Sequence, residues 1–171
     1  MALYPNLEAS TSSKSLTSAT ELLAIRHKRV AFVESATAGF LMTAFATTAH
    51  GSVLAGGIVC YDAAIKTGLL GVPEALITQY TPESLPVTQA ITAGLKRLMD
   101  ADYYIGITGL LKPGGSQRPD KPVGTIYLAL LDQTTEYAAK RIFTGTPRMI
   151  QEKTLEWVCL LIIETLSMPH L

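Results

Sequence analysis

The sequence predicts a layered α/β domain whose sheet is mostly parallel and carries one hairpin. Three observations carry this. Short apolar runs alternate with stretches of helical periodicity, the pattern that builds parallel sheets covered by helices. Two β-rich runs near residue 130 are separated by only four turn-forming residues, which requires an antiparallel pair. The 171 residues, 48% of them hydrophobic, suffice for one domain with a core that needs no disulfide or metal.

Residues 1–13, MALYPNLEASTSS, are polar and Ser-rich and read as a loosely ordered arm, followed by a single domain over residues 14–168. Ser15 or Thr17 is placed to cap a helix through Ala19, Leu22, Leu23 and Ile25, with His27, Lys28 and Arg29 favourable at its C-terminal end. Residues 30–33 are a short apolar run, read as a buried strand. Glu34-Ser35-Ala36-Thr37 then opens a second helix through Leu41, Phe45 and Ala49. Residues 51–61, GSVLAGGIVCY, are expected as a strand in which Gly56 and Gly57 mark a bulge or a close backbone approach. Asp62 can cap a short helix carrying Ile65 and Lys66, and Pro73 suits the start of a helix over Glu74–Tyr80. Val87, Ile91, Leu95 and Leu98 space out a longer helix around residues 86–99. Residues 103–107 read as a strand that ends in Thr108-Gly109 and the loop LLKPGGSQRPDKP. Residues 125–131 and 136–143 make the hairpin, and Thr144 or Thr146 caps a last helix carrying Ile150, Leu155, Val158, Leu161, Ile162 and Leu166.

Composition excludes several function classes. There are 14 Lys plus Arg against 14 Asp plus Glu, with the basic residues scattered. Grip on nucleic acid or an anionic membrane rests on clustered cations, so neither partner is expected. His27, His50, His170, Cys60 and Cys159 show no metal-ligand spacing, and neither a metal nor a cofactor is expected. Both cysteines lie in apolar strings and read as buried thiols of a reducing, cytoplasmic compartment. The N-terminus lacks a secretory pattern, and no apolar run reaches membrane-spanning length. Trp157, Val158, Leu160, Leu161 and Ile163 spread over more than one face of the last helix, which suggests a homo-oligomer.

The available chemistry therefore uses hydroxyls, a few lysines and the backbone. In open α/β sheets ligands bind beyond the carboxyl ends of strands. One such end is Glu34-Ser35-Ala36-Thr37-Ala38-Gly39, where a helix N-terminus offers N–H groups to a phosphate or oxyanion and Ser35 stands as a candidate nucleophile. From spacing alone, simple N-capping is the commoner explanation of Ser35 and Thr37. A second end is Thr108-Gly109 with Pro113-Gly114-Gly115-Ser116, a Gly-rich loop able to present amides to a phosphate, or an ordinary crossover. It lacks P-loop spacing. Tyr61 with Lys66 is the third candidate: a desolvated lysine can serve as general base, whereas a lone lysine is commonly a solvated surface charge.

Five motifs occur in a recognisable order: ESATAG (34–39), GSVLAGGIVCYDAAIK (51–66), LLGVP (69–73), ITGLLKPGG (107–115) and KPVGTI (121–126). On these the chain resembles the CinA C-terminal domain family, which includes free-standing nicotinamide-nucleotide amidohydrolases. The resemblance covers about residues 14–166. It implies a three-layer α/β/α fold with a mixed sheet and hydrolysis of the carboxamide of nicotinamide mononucleotide to nicotinate mononucleotide and ammonia. The family nucleophile falls on Ser35, with Tyr61 and Lys66 handling its proton. Thr37, Gly39, Thr108, Gly109, Gly114 and Gly115 fall at the substrate, and N–H groups of residues 36–39 at the oxyanion. The N-terminal domain of the larger members, similar to molybdopterin-binding proteins, is not expected in 171 residues.

The chain departs from the family pattern around this frame. The family's Cys is Ala36, the first of its paired glycines is Ala38, its Tyr-Ser-Asn is Tyr61-Asp62-Ala63, and its Ala-Gly in the ITG loop is Leu111-Lys112. The Gly-Asp-Arg before the last helix appears as Gly145-Thr146-Pro147-Arg148. These changes admit a second reading, a catalytically silent ligand-binding or protein-interaction domain.

Overall fold

The computed structural model describes residues 11–133 and 135–167. In chain order they form α1 (Thr11–Ile25), β1 (Val30–Glu34), α2 (Phe40–Ala46), β2 (Leu54–Val59), α3 (Ala63–Gly68), α4 (Glu74–Tyr80), α5 (Leu85–Leu98), β3 (Tyr103–Gly109), β4 (Thr125–Leu131), β5 (Glu136–Ile142) and α6 (Pro147–Ser167). The sheet order is β2-β1-β3-β4-β5. β1 pairs in parallel with β2 and β3, whereas β4 and β5 are antiparallel to their predecessors. The return of β4 follows from its connection. A parallel strand needs a crossover, usually helical, and the 110–124 segment holds prolines at 113, 119 and 122.

β1 is buried on both faces. Val30 and Phe32 pack into one apolar cluster with α1, α2 and α6, and Ala31 and Val33 into a second with Val87, Ile91 and Leu95 of α5. The sheet is therefore sandwiched between helices, the α/β/α arrangement with a mixed sheet. A strand covered on both sides reads as a continuous apolar run, which is how residues 30–33 read. α6 packs along α1 and buries Trp157, Val158 and Leu161, so much of its all-round apolar character is used within the chain. Leu160 stays half exposed.

Four expectations are corrected. α1 starts at Thr11, so residues 11–13 of the expected arm are helical, and residues 1–10 lie outside the described residues. Ser15 and Thr17 sit inside that helix rather than at its cap; Thr17 Oγ donates back to Ser13 O. α2 begins at Phe40 and ends at Ala46, because Ala38 (φ 52°) and Gly39 (φ 91°) are both left-handed and interrupt any helix starting at residue 34. Residues 51–53 form a 3₁₀ turn, which delays β2 to Leu54.

Both roles expected at the paired glycines occur. Val30 pairs with Leu54 and Ala31 with Gly56, so Ala55 is the extra residue of a bulge. A Cβ at Gly57 would lie 2.3 Å from Phe32 O and 2.5 Å from Met42 Sδ, which only glycine avoids.

Candidate active site

Ser35 stands just past the carboxyl end of β1, held from both flanks. Its N–H donates to Ile107 O of β3 (2.9 Å), and Cys60 N–H donates to Glu34 O (2.8 Å). The preceding Glu34 is fully buried. Its carboxylate accepts from the N–H groups of Gly39 (2.9 Å), Leu41 (3.2 Å) and Met42 (2.8 Å). An anion at a helix N-terminus is stabilised by the dipole and by the unpaired donors there. The cap of α2 is thus an acidic side chain from the strand, not Ser35 or Thr37. It also takes N–H groups expected to serve an oxyanion or phosphate, that of Gly39 among them. Within the described residues, the N–H groups of Ala36 and Ala38 make no hydrogen bond.

Lys66 reaches Ser35 from α3. Asp62 caps that helix, accepting Ala64 N–H at 2.7 Å, and one turn later Lys66 points inward with 1% of its surface exposed. Its Nζ donates to Cys60 O at 2.6 Å and lies 3.2 Å from Ser35 Oγ. Asp62 is thus spent on the helix cap rather than on Lys66. Burial pushes the neighbouring Cys60 thiol above its ordinary value, against the pull of Lys66; both Cys60 and Cys159 are free and buried.

Ser35 opens onto a cavity of about 480 Å³, a size suited to a nucleotide-scale ligand. Ala36, Ala38 and Tyr61 share its near wall, while Glu83, Gly109 and the 110–115 segment form much of the rest. Tyr61 is 69% exposed and makes no hydrogen bond to Ser35 or Lys66. Three residues expected at the substrate lie off the wall. Thr37 is buried with its Oγ unpartnered, and Gly39 is tied to Glu34. Thr108 is buried against Thr88, oxygen to oxygen at 2.8 Å, and Thr88 Oγ donates to Ser84 O at 2.7 Å.

A second buried lysine stands behind the opposite wall. Lys121, also 1% exposed, donates to Thr81 Oγ (2.6 Å), to Glu83 O (2.9 Å) and to Ser116 Oγ. Ser116 Oγ in turn donates to Glu83 Oε2 at 2.5 Å. Glu34, Glu83, Ser116 and Lys121 were not singled out as site residues by sequence reasoning. An acidic residue directly after an apolar strand was a usable signal for Glu34. Ser116 closes the Gly-rich loop and Lys121 opens the KPVGTI motif, whereas nothing local pointed to Glu83.

The sequence profile of the CinA C-terminal domain matches residues 13–166. The chain belongs to the CinA C-terminal domain family. It is 40% identical over 124 residues to a CinA-like protein of Anaeromyxobacter dehalogenans, covering 72% of this chain and 30% of that protein. A CinA-like protein of Thermotoga maritima is 35% identical over 135 residues, covering 78% and 32% respectively. The chain thus spans about a third of the length of these relatives. Among solved structures, a competence-damaged protein (CinA) superfamily protein from Klebsiella pneumoniae superposes with a TM-score of 0.85 at 23% identity, covering 92% of this chain and 99% of that one. The competence/damage inducible protein CihA from Agrobacterium tumefaciens gives 0.81 at 22% identity, covering 98% and 100%. These likenesses bear on the fold.

Within this CinA domain the departures from the family pattern take definite places. Ala38 carries its methyl at positive φ on the cavity wall. Leu111 and Lys112 line the cavity, and Lys112 is exposed. Arg148 stacks over Phe40, 4.4 Å from the ring centre, and pairs with Glu152 at 2.8 Å. Among the described residues no cluster of three or more His, Cys, Asp or Glu is arranged to hold a metal, and no helix is long and apolar enough to cross a membrane.

Proposed function

We propose that this CinA domain is an amidohydrolase that deamidates nicotinamide mononucleotide to nicotinate mononucleotide and ammonia. The observation that carries the reading is the 3.2 Å separation of Lys66 Nζ and Ser35 Oγ at the base of the cavity. A serine is a weak nucleophile until an adjacent base takes its proton, and a buried lysine in its amine form is such a base. Ser35 Oγ attacks the carboxamide carbon while its proton passes to Lys66. The tetrahedral oxyanion meets the free N–H groups of Ala36 and Ala38. Lys66 returns the proton to the departing nitrogen, the C–N bond breaks, and ammonia leaves. Water then hydrolyses the acyl-serine, giving the acid and regenerating Ser35. Tyr61, exposed at the mouth, is placed to contact the ring of the substrate.

The decisive experiment is ammonia release from nicotinamide mononucleotide by pure protein. Turnover is expected in wild type and its loss in Ser35→Ala. No turnover in wild type, or undiminished turnover in Ser35→Ala, overturns the reading. The placement of Leu111 and Lys112 on the wall favours a second reading, a silent domain that binds a nucleotide without converting it. Thermal-shift titration with the nucleotide and with its nicotinate product separates binding from chemistry.

A further inference from the structure

Glu83 is the one carboxylate on the cavity wall among the described residues, and Lys112 the one cation there. The two are held very differently. Lys112 is exposed and makes no hydrogen bond or ion pair within the described residues. Glu83 is fixed at both ends: its carbonyl accepts from Lys121 Nζ, and its Oε2 accepts from Ser116 Oγ, which itself accepts from Lys121. The chain leading into it is fixed as well. Thr81 has φ 72° and ψ 156°, a region that costs a non-glycine residue strain and persists only when the surroundings over-determine it. Lys121 supplies that constraint through Thr81 Oγ.

This arrangement spends its ammonium on positioning. Lys121 forms no ion pair with the Glu83 carboxylate, nor does any other described residue. The Lys121 ammonium, one hydroxyl removed, offsets part of the carboxylate's charge; the remainder faces, in a set orientation, a partly enclosed cavity where water screens it less than at an open surface. Such a group discriminates ligands by charge rather than by shape.

We propose that Glu83 is a specificity-determining residue that selects amides whose ring carries a positive charge over neutral amides of the same size and shape. The proposal rests on the amidohydrolase reading for its substrate class, not for the charge selection itself. The test pairs two ligands of nearly equal size: nicotinamide mononucleotide, whose ring is a pyridinium, and its dihydro form, whose ring has gained a hydride and is neutral.

The quantity read is the ratio of kcat/KM for the two in wild type, divided by the same ratio in Glu83→Gln. Dividing the ratios cancels both the intrinsic reactivity of each amide and any loss of folded protein. The expected result is about a tenfold fall in discrimination, equivalent to ~1.4 kcal/mol. An unchanged ratio, or equal losses on both ligands, overturns the proposal. The same ratio of dissociation constants, measured by calorimetry in a Ser35→Ala background, decides it without turnover. A tenfold fall there with no ammonia release in wild type would sustain Glu83 and sink the amidase.

Discussion

Two lysines in this domain are equally buried, and each reaches a serine hydroxyl beside the same cavity. Their partners separate them. Lys121 meets three acceptors, Thr81 Oγ, Glu83 O and Ser116 Oγ, which match the three protons of an ammonium. Burial pulls its pKa below the ordinary lysine value, against the pull of Glu83. Lys66 meets one obligatory acceptor, Cys60 O, and one hydroxyl that can donate as well as accept. That set leaves the nitrogen one acceptor fewer than Lys121 has. Burial and contact with a serine therefore do not distinguish the two lysines; the number of acceptors around each nitrogen does.

The largest effect that tests this contrast is on rate. Lys66→Met is expected to lower kcat for amide hydrolysis by about a thousandfold. It costs only about 1 kcal/mol of unfolding free energy, because one carbonyl loses its donor. Ammonia release and urea unfolding measure the two. Lys121→Met should invert the pattern: about 3 kcal/mol of stability is lost, since Thr81 Oγ and Ser116 Oγ lose their donor and Glu83 O keeps only the 3.4 Å contact from Thr81 Oγ, while the folded fraction keeps a far larger share of its kcat. If Lys121→Met abolishes turnover in protein that remains folded, the division of roles is wrong.

Ala38→Gly sharpens the Ser35 side. Relief of the left-handed methyl outweighs the added chain entropy and should raise stability by about 0.5 kcal/mol, seen as a higher urea midpoint at constant m. A lower midpoint would show that the methyl packs usefully against the cavity.

The smallest effect lies at the opposite end of the strands and serves as a control. Partial burial of Asp102 opposes ionisation. Hydrogen bonds from Lys28 Nζ (2.9 Å) and Arg29 N–H (2.8 Å), with their charges, outweigh it and hold the carboxyl below the usual range. A depressed carboxylate stabilises the fold above its unfolded-state pKa and loses that contribution as pH falls through the folded value. Asp102→Asn should therefore cost about 0.5 kcal/mol at pH 7, and the deficit should shrink as pH falls below the ordinary carboxylate range and vanish once the folded carboxyl is protonated. Ammonia release should not respond.

The same contrast explains which parts were legible in the sequence. β4 and α4 were read to the residue, because Thr125–Leu131 is a clean β-rich run and Pro73 marks a helix start. The Ser35–Lys66 pair spans 31 positions, yet the order of motifs and the Asp62 cap brought it within reach. α2 was misplaced because hydroxyls at 35 and 37 imitate a cap, while the real cap is a carboxylate reaching five to eight residues ahead. Positive φ at Ala38 is signalled only by the glycine of the family pattern at that position, not by the alanine itself. The Lys121–Glu83 contact bridges 38 positions between two loops, with no periodicity to announce it.

The hydroxyl pair of Thr108 and Thr88 has a mechanical consequence. Ser35 is bonded to Ile107, Thr108 to Thr88, and Thr88 to Ser84, the neighbour of Glu83. Hydrogen bonds alternating with peptide links thus run through the interior from Ser35 to the far wall. The separation of Ser35 and Glu83 is therefore tied to the core as well as to the loop that completes the wall. Loosening a threonine deep in the domain would alter which molecules fit, with no change to any atom that touches them.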